Sequence, residues 1–205
     1  MSVEPDAVEI RVLGCLLEKQ RTTPHAYPLT LNALRLACNQ STNRDPVVDY
    51  DEAEVRAALT RLAQRRWTRA ASGAGSRAAK FRHLFDEALG LADDDVAVLT
   101  VLMLRGPQTV GELKGRSERL HRFADLGEVE ETLDRLASRD LVERLARRPG
   151  EKGERWRQLA GGEDAGNEGD GEEVAPSAAE PGLEARVERL EREVAELREE
   201  LHRRS

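Results

Sequence analysis

Residues 54–65 read Glu54-Val55-Arg56-Ala57-Ala58-Leu59-Thr60-Arg61-Leu62-Ala63-Gln64-Arg65. Residues 128–139 read Glu128-Val129-Glu130-Glu131-Thr132-Leu133-Asp134-Arg135-Leu136-Ala137-Ser138-Arg139, identical at seven of twelve places and 74 positions later. A second echo sets Lys80-Phe81-Arg82-His83-Leu84 beside Arg155-Trp156-Arg157-Gln158-Leu159. The chain is therefore an internal duplication, which has to be recognised before any fold is assigned. Working outward, the offset between copies falls from 86 (Val12/Val98, Leu13/Leu99) to 79 (Thr30/Thr109, Leu34/Leu113) to 74. The first copy thus carries seven extra residues before its second helix and five before its third. Insertions confined to loops are what a tandem duplication predicts.

Each copy reads as three helices followed by a β-hairpin. In the first, Val8, Val12, Leu13, Leu16 and Leu17 predict an amphipathic helix near 6–19. Thr30 is expected to cap a second helix over about 31–39, and Asp51 a third over about 52–66 whose buried stripe is Val55, Leu59 and Leu62. Trp67–Ala71 and Ala78–Leu84 then read as strands joined by the glycine-bearing segment Ser72–Arg77. In the second copy Asp93 and Thr109 are expected caps, the third helix spans about 127–138, and Leu141–Ala146 pairs with Arg155–Leu159. The expected fold is mainly α with small β-hairpins: two tandem winged-helix domains, residues 1–90 and 91–160. An acidic linker, 161–182, and a C-terminal coiled-coil-like helix, 183–205, follow.

The charge is unevenly spread. The net −7 divides into +2 for residues 1–90, −1 for 91–160 and −8 for 161–205. Residues 51–83 alone hold eight basic and three acidic side chains. The linker, glycine-rich and without Lys or Arg, cannot bury enough apolar surface to order itself. In the tail, Leu183, Val187, Leu190, Val194, Leu197 and Leu201 alternate 4 and 3 apart, with Val at a and Leu at d, as in a parallel two-stranded coil. Arg186 would face Glu191, and Glu193 would face Arg198, across such a pair. A homodimer is expected through this tail, the second unit, or both; a tail folded back on its own chain is the alternative.

No basic segment leads into an apolar stretch at Met1-Ser2-Val3-Glu4, and no run of about 18 apolar residues exists to span a bilayer. A cytoplasmic setting is expected, with Cys15 and Cys38 as reduced, buried thiols. They have no metal-ligand spacing. His25, His83, His121 and His202 are scattered, and no Gly-rich loop follows a strand and opens a helix. We therefore expect no enzyme, no metal and no cofactor.

Gly14-Cys15-Leu16-Leu17-Glu18-Lys19-Gln20, Tyr27-Pro28-Leu29-Thr30, Ala37-Cys38-Asn39-Gln40 and Asn43-Arg44-Asp45-Pro46-Val47 resemble the YceH-like bacterial proteins. So do Leu104-Arg105-Gly106-Pro107-Gln108-Thr109 and Gly111-Glu112-Leu113. The resemblance covers about residues 5–160 and the tail pattern. It implies tandem winged helices with DNA binding suspected from the fold, and it brings no substrate, ligand or catalytic residue.

In a winged helix the third helix commonly enters the major groove while the hairpin touches the backbone. Ala57, Thr60, Arg61 and Gln64 project opposite the apolar stripe, flanked by Arg56 and Arg65. Arg and Gln can read base edges. Arg69, Arg77, Lys80 and Arg82 on the hairpin are candidate phosphate partners. Asn43 and Arg44, in the turn before the third helix, are candidate DNA contacts or turn-forming residues. The second copy places Glu131, Asp134, Arg135 and Ser138 on the equivalent face, with Glu130 beside it. Carboxylates there would oppose phosphate, so this unit is expected to dock protein. Two functions stay open: DNA binding through the first unit, or protein assembly using winged helices as docking surfaces.

Overall fold

Asp6 accepts the amide of Glu9 at 2.8 Å, and Glu9 accepts the amide of Asp6 at 3.2 Å. This reciprocal capping box starts α1 (Ala7–Thr22). A computed structural model describes residues 4–71, 79–147 and 153–161 of the chain. Arg77, the hairpin tip around it, the acidic linker beyond Gly161 and the tail heptad residues Leu183, Val187, Leu190, Val194, Leu197 and Leu201 lie outside the described residues.

After α1, a short strand β1 (Leu29–Thr30) leads directly into α2 (Leu31–Cys38), whose first turn is capped by Thr30 accepting from Ala33 N at 3.2 Å. A second capping box, Asp51 with Glu54, starts α3 (Glu52–Gln64). α3 is followed by Arg66, whose φ of 62° lies in the left-handed region. There Trp67 N returns to Leu62 O at 2.9 Å and satisfies a terminal carbonyl. Strands β2 (Thr68–Ala70) and β3 (Lys80–His83) follow, then a short helix α4 (Phe85–Leu89).

The second half repeats this order with α5 (Asp93–Arg105), β4 (Gln108–Thr109), α6 (Val110–Ser117), α7 (Leu126–Ala137), β5 (Val142–Leu145) and β6 (Arg155–Gln158). Its third helix also ends on a left-handed non-glycine residue, Asp140 at φ 54°, with Leu141 N donating to Leu136 O at 3.1 Å. Both sheets are three-stranded and antiparallel, ordered β1-β3-β2 and β4-β6-β5. Their registers match: Leu29 faces Phe81 as Gln108 faces Trp156, and Thr30 faces Lys80 as Thr109 faces Arg155. The chain is thus mainly helical with two small sheets, and the copies correspond in caps, terminators and strand pairing.

Three expectations need correction. Each hairpin gains a third strand, β1 or β4, too short at two residues to show a period-2 pattern. The N-cap of α5 is Ala92 rather than Asp93; Asp95, at the third helical position, accepts the Ala92 amide at 3.0 Å. α1 is not amphipathic in its middle, since every residue from Glu9 to Leu17 is buried.

That burial arises because α1 packs on α2 and α3 from one side and on α5 from the other. Gly14 permits the approach: a Cβ there would lie 2.9 Å from Leu104 Cδ2 and 3.1 Å from Met103 Cβ. Leu13, Leu16, Leu17 and Phe85 join Leu99, Leu102, Leu133 and Leu136 in one continuous core. Each fully buried leucine contributes about 1.5–3 kcal/mol. The described residues belong to one compact unit, Met1–Gly169. Among the described residues, no helix is long and apolar enough to cross a membrane.

Candidate nucleic-acid interface

Val55, Leu59 and Leu62 turn inward from α3, and Arg56, Ala57, Thr60 and Gln64 are exposed on its outer face. Thr60 Oγ1 donates to Arg56 O at 3.0 Å, a bond within its own helix. Arg69 on β2 is exposed, Lys80 on β3 is half-buried, and Arg66 is exposed at the left-handed turn between α3 and β2. Arg56, Thr60, Gln64, Arg66, Arg69 and Lys80 therefore lie on the third helix, the turn after it and the two wing strands.

Arg61 does not belong to that set, and here the sequence reading is corrected. Its Nε donates to Glu9 Oε2 at 2.9 Å and its Nη2 to Asp6 Oδ2 at 2.5 Å, so the guanidinium clamps α3 to the first turn of α1. Glu9 is 2% exposed, and such a buried carboxylate requires a cationic partner. Arg65 leans the same way, with Nε 3.5 Å from Glu9 Oε1 and its guanidinium 5.8 Å from the Trp67 ring centre. The second half repeats the clamp. Arg135 Nε reaches Asp95 Oδ1 at 3.0 Å and its Nη2 reaches Asp94 Oδ2 at 2.5 Å. Asp95 holds the same third helical position in α5 as Glu9 in α1. Burial pushes the Asp94 carboxyl up, but the bond and charge of Arg135 outweigh it and leave the group below its usual value.

Asn43 and Arg44 are held within the turn that they form. The Arg44 side chain is fully buried and bidentate to Glu18, at 3.1 and 2.6 Å, with further bonds to Ala37 O at 3.1 Å and Gln40 Oε1 at 2.9 Å. It cannot reach a ligand. Asn43 takes a left-handed φ of 60° and its Oδ1 accepts from Arg105, at the end of α5. Asp45 N donates to Leu104 O at 2.8 Å. Asn39 closes the other end of the loop, accepting from Tyr50 N at 3.0 Å and donating to Tyr50 O at 2.8 Å. This polar loop is a strap that ties the two repeats together. Arg82, also a phosphate candidate, is paired with Glu87 at 2.5 Å.

The second repeat presents Glu130, Glu131, Asp134 and Ser138 where the first has Arg56, Ala57, Thr60 and Gln64, all exposed. Beside them lies a cleft of about 720 Å³ between the start of α6, α7 and the β5–β6 pair. Glu112, Glu130, Asp134, Glu154, Arg144 and Trp156 line it. Arg144 sits 4.9 Å over the Trp156 ring and 3.1 Å from Glu154. Among the described residues no group of three or more His, Cys, Asp or Glu is arranged to hold a metal ion.

The sequence reading missed Glu9, Asp95 and Glu18, the carboxylates that claim its arginines. One signal was available. Arg61 and Arg135 are identical across copies whose outer faces have diverged, which marks a role in the shared fold rather than in a function of one copy.

Residues 6–151 match the family entitled "Protein of unknown function, DUF480", and the chain belongs to it. It is 47% identical to the UPF0502 protein YceH of Escherichia fergusonii over 208 residues, spanning 98% of this chain and 96% of that protein. The UPF0502 proteins YceH of Salmonella typhimurium and Salmonella agona match at the same identity and coverage.

Proposed function

We propose that the chain is a non-enzymatic tandem winged-helix protein whose first repeat binds double-stranded DNA. The helix–strand–helix–helix–strand–strand order of each half supports the winged-helix assignment, with β2–β3 and β5–β6 as wings. One observation carries the DNA reading. At four matched places on the outer face of the third helix, the first repeat has Arg56, Ala57, Thr60 and Gln64 against Glu130, Glu131, Asp134 and Ser138 in the second. Small residues beside Arg and Gln allow close approach and base-edge contact. Arg66, Arg69 and Lys80 lie where a wing meets the phosphate backbone.

A direct test is retention of a mixed-sequence duplex at about 50 mM salt. Arg56→Glu with Arg69→Glu abolishes retention in this reading, and Glu130→Lys with Asp134→Lys does not. Equal behaviour of the two double variants would refute it.

The cleft beside Glu130 and Asp134 favours a second reading, in which the second repeat docks protein and the chain works as an assembly factor. A homodimer held by Leu183, Val187, Leu190, Val194, Leu197 and Leu201, and a cytoplasmic setting, belong to the same proposal. Sedimentation of the chain truncated after residue 160 checks the dimer: an unchanged oligomeric state removes the tail from it.

A further inference from the structure

The outer faces of the two third helices differ in charge, and neither finds its counterpart within the chain. Arg56, Thr60 and Gln64 stand at i, i+4 and i+8 on α3, all exposed. Glu130, Asp134 and Ser138 stand at the same spacing on α7, also exposed. Among the described residues, Arg56, Arg66, Arg69 and Lys80 form no ion pair, and neither do Glu130 and Asp134. Glu130 and Asp134 lie one turn apart, where like charges disfavour a helix and a cation set between them relieves it.

The cleft beside α7 sharpens the asymmetry. Glu112, Glu130, Asp134 and Glu154 line its 720 Å³ against Arg144 and Arg155. Arg116 holds Glu112 at 3.2 Å and Arg144 holds Glu154 at 3.1 Å, so the two α7 carboxylates are the ones left facing solvent. The duplication supplies an internal control. At the offsets of 79, 74 and 75 that align the copies, the four acidic residues fall on Ala33, Arg56, Thr60 and Ala79. The fold is built in the first repeat without acid at any of these places. Their acidity in the second calls for a separate explanation.

We propose that the cleft of the second repeat takes the outer α3 face of the first repeat of another copy of this chain. The inference rests on the reading that the second repeat docks protein, and it names the partner. Both stripes follow the i±4 rows by which packed helices interlock. Laid parallel, they set Arg56 against Glu130 and Gln64 against Ser138. The first is an ion pair. In the second, Ser138 Oγ, which donates to Arg135 O at 2.7 Å, accepts from the Gln64 amide. Ala57 and Thr60 are small enough for the helices to approach closely. Arg66, Arg69 and Lys80 add three cations to the surface that meets the acidic cleft. Duplex DNA and a partner copy then compete for the same face of α3.

The mass of the full-length protein in solution, followed by light scattering against concentration at about 50 and about 500 mM salt, tests this. Exposed charge pairs are largely screened at the higher salt, so the mass there is the baseline, whatever the tail contributes to it. At low salt the wild type is expected to rise above that baseline with concentration. Arg56→Glu with Arg69→Glu, and Glu130→Lys with Asp134→Lys, are each expected to weaken the association about ten-fold or more, because like charges then meet. An equimolar mixture of the two double variants is expected to regain it, since each supplies the face that the other has lost. If a charge reversal fails to fold, Arg56→Gln and Glu130→Gln carry the same test with a smaller shift in the same direction. A wild type that stays at baseline, variants that associate as the wild type does, or a mixture that stays at baseline would overturn the proposal. A wild type at baseline leaves the docking reading standing for a foreign partner. That reading falls only if the wild type and Glu130→Lys with Asp134→Lys also retain the same proteins from a native extract.

Discussion

Arg61 and Arg135 occupy matched places and grip matched carboxylates, Glu9 and Asp95, that are almost fully buried. Removing Arg61 leaves Glu9 with the Asp6 amide and, among the described cations, Arg65 at 3.5 Å. Urea unfolding of Arg61→Ala is expected to show a loss of about 1–2 kcal/mol, since the arginine is itself partly open to solvent. Arg56→Ala, on the same helix and exposed, should stay within about 0.5 kcal/mol. Equal losses would contradict the clamp. His83 permits a pH prediction. It is 1% exposed, its Nε2 lies 2.5 Å from Gln20 Oε1, and burial holds its pKa below the ordinary 6.5. The unfolded chain binds a proton there before the folded one does. Stability from this site is therefore complete above pH 6.5 and declines as pH falls from 6.5 toward the lower folded value. His83→Gln copies Gln158, the residue at the same place in the second repeat, and should flatten that part of the urea-midpoint profile. An unchanged profile would remove His83 as its source. The identity of these charged residues was legible in the sequence, but their partners were not. Glu9 lies 52 positions from Arg61, and nothing local to either predicts the pairing.

Among the elements, Thr30, Thr109 and Asp51 cap the helices that their positions before apolar-periodic runs predict. The duplication was legible because the third helix and the last strand, β3 or β6, keep their pattern in both copies. The two-residue strands β1 and β4 and the five-residue α4 were not. Segments that short carry no period, and their structure comes from pairing with β3 and β6 or from packing Phe85 into the core. The burial of α1 on all sides was also hidden, since it depends on α5 arriving from the other repeat. Gly14 is where that arrival is tightest. Gly14→Ala should cost about 1–3 kcal/mol through overpacking against Leu104 and Met103, read from the thermal midpoint. A neutral or stabilising effect would mean that α5 can move away freely.

At the scale of the molecule, the strap contacts of Asn43 and Asp45 and the α1–α5 contact hold both repeats in one unit. The outer faces of the third helices then differ in charge while their inner faces agree. That divergence supports assigning DNA to the first repeat and leaving the acidic cleft of the second for a protein. It was readable in the sequence at Arg56 against Glu130, whereas the burial of Arg44 and the pairing of Arg61 with Asp6 and Glu9 needed three dimensions. DNA affinity measured against salt concentration, for the wild type and for Arg69→Ala, tests the assignment most directly. With Arg66, Arg69 and Lys80 on phosphates, log K should fall against log salt with a slope of roughly −3, reduced by about 1 in the variant. Absence of binding at about 50 mM salt, or slopes that coincide, would contradict it.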